Sequence, residues 1–170
     1  FRHSRVSLVI AFIDESKAKK YRLVAYLEEP SNLHAKRKAL TSCLLAGQRS
    51  VHFRKESNQR RRHLISMITS MNPKILVFVV QGLAPAAARN LLISALCQKI
   101  TNYSIDELVF ELDQSSIAQD SQHLNDIRPP IHWDHRERHH EPLLWIADAA
   151  AWCLNRGGEW ERLVKPLIIE

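Results

Sequence analysis

The sequence predicts an α/β domain built on a mixed sheet. Two observations carry that class. Short runs of β-branched and apolar residues, VSLVIAFI at residues 6–13 and KILVFVV at 74–80, have the composition of strands buried on both faces. Longer stretches between and after them repeat apolar residues three and four apart, which is helical spacing. A length of 170 residues fits one domain spanning 1–170, and no Pro/Ser linker or internal repeat divides it.

The elements follow in order. The run at 6–13 ends in the polar connector DESKAKK, and YRLVAYL at 21–27 forms an antiparallel partner. SNLHAKRKALTSCLLAG is a helix with Leu33, Leu40 and Leu44 on one face, a Ser or Asn cap and a terminal glycine. SVHF at 50–53 is a short strand candidate. The helix from Ser57 has an apolar seam at Leu64, Ile65, Ile68 and Met71 and stops at Pro73. After the strand at 74–80, Pro85 opens a helix that carries Leu91, Leu92, Ala95, Leu96 and Ile100. DELVFELD alternates Leu108, Phe110 and Leu112 and forms a strand ending at Asp113. A short helix spans 115–125, and Pro129-Pro130 breaks it. IHW at 131–133 is a last short strand, and DHRERHH after it is a polar loop. Glu141-Pro142 opens a final helix that ends at Gly157-Gly158.

Composition narrows the class further. Hydrophobic residues at 45% and charged residues at 25% suit a packed, water-exposed domain. No apolar run is long enough to span a bilayer, and no secretory leader is evident. Cys43, Cys97 and Cys153 are odd in number and far apart, as buried thiols in a reducing, cytoplasmic compartment would be. A surplus of 24 basic over 18 acidic residues, net +6, points to an anionic partner such as nucleic acid.

Three acids occupy unusual places. Asp14 and Asp113 each follow a buried strand, and Asp148 lies inside the apolar helix LLWIADAAAWCL. Neighbouring strands lie about 4.8 Å apart, so two strand-end acids can share a cation. A helix crossing that edge can add a third. Hard divalent ions such as Mg2+ or Mn2+ take carboxylate oxygens. Two of them can activate water for phosphodiester hydrolysis. Each residue also has a plainer reading. Asp favours turns after strands, and Asp148 can pair with an arginine or lie on a stripe with Asn155.

The motifs FIDES (12–16), VHFRKES (51–57), VFELDQS (109–115) and LLWIADAAAW (143–152) occur in an order that resembles the ribonuclease H-like superfamily. They are similar to those of a widespread bacterial branch with a "DES" strand end, an "HF" segment, a strand-end Asp and an "LADA"-type helix. The resemblance implies three antiparallel strands, then helix, strand, helix, strand, helix. Residues 31–71 would be a helix-strand-helix insertion after the second strand, and helices would cover both faces. It implies that Asp14, Asp113 and Asp148 are metal-binding and catalytic acids of a Mg2+- or Mn2+-dependent nuclease acting on RNA, DNA or a hybrid. The helix after Pro85, where ribonuclease H enzymes usually carry a Glu, contains no acid. Glu15, Glu56 and Glu111 are substitutes elsewhere, and Asp134 is a spare ligand. A member of the superfamily that binds nucleic acid or protein without catalysis is the alternative.

Arg54, Lys55, Arg60, Arg61 and Arg62 in FRKESNQRRRH offer a phosphate-binding patch, or the solvated face of a helix. His132, His135, His139 and His140 crowd the loop before the last helix. That density raises a third class, a zinc-binding regulatory protein, although no cysteine is near. One of these histidines could instead assist proton transfer. Trp145 and Trp152 share a helix face and serve the core or a homodimer contact.

Overall fold

The architecture is that of a computed structural model, which describes residues 8–170. Five strands form one sheet: β1 (Val9–Ser16), β2 (Tyr21–Glu28), β3 (Lys74–Val80), β4 (Ile105–Glu111) and β5 (His132–Arg136). Their spatial order is β3-β2-β1-β4-β5. The first three strands are antiparallel neighbours, and β1–β4 and β4–β5 run parallel. The helices are α1 (Leu33–Thr41), α2 (Asn58–Ser70), α3 (Pro85–Cys97), α4 (Ile100–Tyr103), α5 (Ile117–Asn125), α6 (Leu144–Arg156) and α7 (Gly158–Val164).

Side-chain alternation along the strands divides the core in two. Phe12, Val24, Tyr26 and Val109 face α6, α2 and α7. Ala11, Ile13, Leu23, Leu108 and Phe110 face α3 and α5. The alanines at 147 and 149–151 let α6 lie close on β1 and β2, since a small side chain keeps two backbones near each other. Ten of the residues of α6 are buried, including Trp145 at 1% exposure, so Trp145 belongs to the core. Gly157 ends α6 with φ +73°, a conformation that side chains with a Cβ rarely adopt.

Several boundaries differ from the sequence expectation, each for a local reason. Expected residues 6 and 7 of β1 lie outside the described residues. At its other end β1 runs on through Asp14 to Ser16, because β2 continues to pair with it there. The helix from 31 stops at Thr41, where Ser and Thr hydroxyls turn back onto carbonyls of the last turn. SVHF forms no strand. Phe53 opens a 3-10 turn instead, and its N–H donates to a side chain rather than to a neighbouring strand. β4 ends at Glu111, two residues before Asp113. β5 extends to Arg136, into the segment expected to be loop, since it pairs with β4 along its length.

No helix among the described residues is long and apolar enough to cross a membrane. The three cysteines are free, with Cys153 buried and the other two half-buried.

Candidate active site

β1 and β4 are parallel neighbours with Ile13 beside Phe110, so the next residues along, Asp14 and Glu111, sit side by side where the pairing of these two strands ends. Both point to the face covered by α6, as Phe12 and Val109 do two residues earlier. From α6, Asp148 completes a group of three carboxylates around a cleft of about 610 Å³. Burial first, then the charges of Asp148 and Glu111, push the Asp14 pKa well above the usual carboxylate range. Arg138 and the Glu15 N–H oppose the shift without cancelling it.

Arg138 is the cation of this group. Its guanidinium donates to Asp148 Oδ2 at 2.7 Å, to Glu111 Oε1 at 2.8 Å and to the Val51 carbonyl at 3.1 Å. Burial would lower its pKa, but Asp148, Glu111 and Asp14 outweigh that and hold it firmly charged. Asp148 also accepts the Phe53 N–H at 2.9 Å. The carboxylate inside the apolar helix is therefore both paired and hydrogen-bonded, as a buried charge requires. One guanidinium set against three carboxylates still leaves the cleft floor acidic.

Two further polar groups line the cleft. Asn155 lies seven residues after Asp148 on the same face of α6. Its buried Oδ1 has no hydrogen-bond partner among the described residues. His52 has a buried Nδ1 that is likewise without a partner. Burial first, then Arg138, lowers its pKa, against the pull of Asp148 and Glu111, and this favours the neutral imidazole.

The other predicted site residues are placed as follows. Asp113 lies at the cleft rim, where the Ser115 hydroxyl, the Ser115 N–H and the Ser116 hydroxyl cap its carboxylate and hold its pKa low. The acid that joins Asp14 and Asp148 is thus Glu111, because β4 ends two residues short of Asp113. Glu15 also lines the cleft, but alternation sends its side chain to the opposite face. There it meets Arg89, Lys17 and the Tyr21 hydroxyl. Glu56 is held by Gln48 at 2.6 Å, away from the three acids. Asp134 is half exposed and pairs with Arg136.

The basic run divides in the same way. Arg54 lines the cleft, whereas Lys55 borders a separate recess with Arg49 and Glu56. The three consecutive arginines are each engaged by other parts of the protein, Arg62 at the surface, where its side chain is 53% exposed. Arg60 meets the Cys43 carbonyl. Arg61 donates to the Phe53 and Arg54 carbonyls at 2.8 and 2.7 Å and lies 4.2 Å over the Trp152 ring. Arg62 pairs with Glu159 and lies over Trp160.

Sequence reasoning did not single out Arg138, His52 or Arg89. Arg138 was hidden in a run of polar residues that read as loop. Arg89 sits on α3 and is buried. It makes a bidentate pair with the fully buried Asp120 at 2.7 Å, and His135 completes that pair at 2.8 Å.

No protein-family model matches this sequence, and no curated protein matches it. Solved structures do share its fold. A mutant form of Bst-RNase HIII superposes with a TM-score of 0.52 at 13% identity, over 94% of this chain and 62% of that one. Bst-RNase HIII in complex with Mn2+ gives 0.51 at 14%, over 96% and 64%. RNase HII from Archaeoglobus fulgidus, solved in complex with PCNA, gives 0.54 at 18%, over 92% and 76%. The chain spans a little under two thirds of the RNase HIII chains it matches. The fold is ribonuclease H-like.

Proposed function

We propose that the chain is a divalent-metal-dependent nuclease that hydrolyses phosphodiester bonds of RNA, DNA or a hybrid at the cleft floored by Asp14, Glu111 and Asp148. The observation that carries the reading is the charge imbalance of this floor. Three carboxylates share one guanidinium, Asp14 is pushed toward protonation, and a buried amide oxygen at Asn155 stands unpartnered beside them. Hard oxygen donors around excess negative charge fit Mg2+ or Mn2+. Asp14, Glu111 and Asp148 would hold the ion, with Asn155 as a neutral oxygen beside them and Asp113 at the rim. When bound, the ion would supply an activated water and stabilise charge on the phosphoryl oxygens. The fold shared with RNase HII and HIII supports the reading.

The chain's own groups have distinct tasks. Arg138, whose guanidinium is held by Asp148, Glu111 and the Val51 carbonyl, keeps a positive charge at the cleft floor that attracts a phosphate entering there. Arg54 and Lys17, which also line the cleft, offer charge to the flanking backbone. His52, held neutral, has an imidazole nitrogen free to take a proton from the attacking water.

A second reading has its own observation. Arg138 already supplies a cation to Asp148 and Glu111, so the domain could bind nucleic acid without cutting it. One experiment separates the two. End-labelled single-stranded RNA, duplex DNA and an RNA–DNA hybrid are incubated with Mg2+ or Mn2+. Cleavage that is lost with chelator and in Asp14→Asn and Asp148→Asn supports the nuclease. Binding in gel-shift assays without cleavage of any substrate supports the second reading.

A further inference from the structure

The turn that delivers Arg138 carries a second cluster with different chemistry. Glu137, His139 and His140 bring one carboxylate oxygen and two imidazole nitrogens within 4.8 Å of one another. His139 Nε2 lies 3.0 Å from Glu137 Oε2, and His140 Nδ1 lies 3.7 Å from the same oxygen. A tetrahedral zinc ion with bonds of about 2.0–2.1 Å needs donors roughly 3.4 Å apart. The two distances fall on either side of that value. Neither imidazole has another hydrogen-bond partner among the described residues.

The frame under the cluster is fixed. The His140 and Glu141 N–H groups both donate to the Glu137 carbonyl, at 3.0 and 3.2 Å, and close the turn. Trp145 Nε1 donates to the Arg138 carbonyl at 2.9 Å. Glu141, only 2% exposed, is pinned by Arg37 and Arg136. The backbone therefore does not have to reorganise to bring the three side chains together. Two imidazoles and one carboxylate are donors for a borderline ion, unlike the all-oxygen floor of the cleft.

We infer that Glu137, His139 and His140 form a zinc site, separate from the acidic cleft, with its fourth position open to water. Zinc there clamps the turn on both sides of Arg138, and so stiffens one wall of the cleft. The inference does not depend on the nuclease reading, because it uses none of the cleft carboxylates.

The test uses the full chain without a histidine tag, titrated with Zn2+ by calorimetry in excess Mg2+, and with Co2+ followed by visible absorption. Wild type should bind one equivalent of Zn2+ and give the intense bands of tetrahedral Co2+. Outer-sphere changes around zinc already cost about 10–100-fold, so His139→Ala and Glu137→Gln should each weaken Zn2+ by at least about 100-fold. All three residues are at least partly exposed, so the variants should melt as wild type does without metal. Zn2+ should raise the melting temperature of wild type and of neither His139→Ala nor Glu137→Gln. Asp148→Asn should bind Zn2+ as wild type does. The inference falls if wild type and His139→Ala bind Zn2+ equally, or if Asp148→Asn is the variant that loses it.

Discussion

Replacing Arg138 by Met removes the cation from the acidic floor and keeps the bulk of its stem. Arg138 is 14% exposed and donates to two carboxylates and one carbonyl, so Asp148 and Glu111 lose their counter-charge together. Removing one partner of a buried ion pair costs about 3–5 kcal/mol, and residual solvent access favours the lower end, about 3 kcal/mol. For a chain of this size each kcal/mol lowers Tm by about 2–4 °C, so the metal-free variant should melt roughly 6–12 °C below wild type. The sign reverses for metal. In wild type an ion shares Asp148 and Glu111 with the guanidinium and is repelled by it, and in Arg138→Met it is not. A ligand at 100 times its Kd adds about 2.7 kcal/mol to a protein that binds it only when folded. The Mn2+-dependent rise in Tm should therefore be larger in the variant than in wild type. Differential scanning fluorimetry over a Mn2+ series measures both effects. An unchanged Tm without metal, or a smaller Mn2+ response in the variant, would refute the role given to Arg138.

Other expectations follow from the same geometry. Glu111→Gln should abolish Mn2+ binding by calorimetry, while Asp113→Asn should leave most of it, because only Glu111 shares the floor with Asp14. Burial alone would raise the Asp120 pKa, but Arg89 and His135 together hold it below the ordinary carboxylate range. Its contribution to stability is thus complete above about pH 3.9 and is lost as pH falls through its lower folded value. Urea melts over that acid range should show a shallower acid limb in Asp120→Asn, along with a lower stability at neutral pH. Arg54→Ala should flatten the salt dependence of nucleic-acid binding by about 0.7–0.9 in log–log slope if it meets one phosphate. Arg61→Ala should keep that slope and lower Tm, since its guanidinium serves two carbonyls and the Trp152 ring.

The sheet and its flanking helices were legible because hydrophobic patterning records burial directly. KILVFVV matched β3 to the residue, and Pro85 marked the start of α3. The candidate acids were half legible. Asp14 and Asp148 stood out as charges in apolar surroundings, which is a local signal. Glu111 entered only as one of three substitutes for an absent helix Glu, because its place in the site depends on which face of β4 it takes and where that strand stops. Asp113 looked better placed only if the strand were two residues longer. Arg138 was beyond local reading altogether. What identifies it is a pairing with residues 10 and 27 positions away, in a segment whose composition says only that it is polar. The surroundings of the arginine run were illegible for the opposite reason. Its charge was plain, but the carbonyls and tryptophans that occupy it come from other elements.

Asp14 and Glu15 are consecutive, yet they feed two separate charge networks on opposite sides of one sheet. A slip of β1 by a single residue would exchange them. Asp14 would then face Arg89 and Tyr21, and Glu15 would face α6, while every apolar side chain of the strand changed sides. The grip of Arg89, Lys17 and Tyr21 on Glu15 consequently acts as a proofreading contact for strand alignment. A chain that pairs β1 out of step forfeits its core and its acidic floor together, so few misaligned molecules should survive folding.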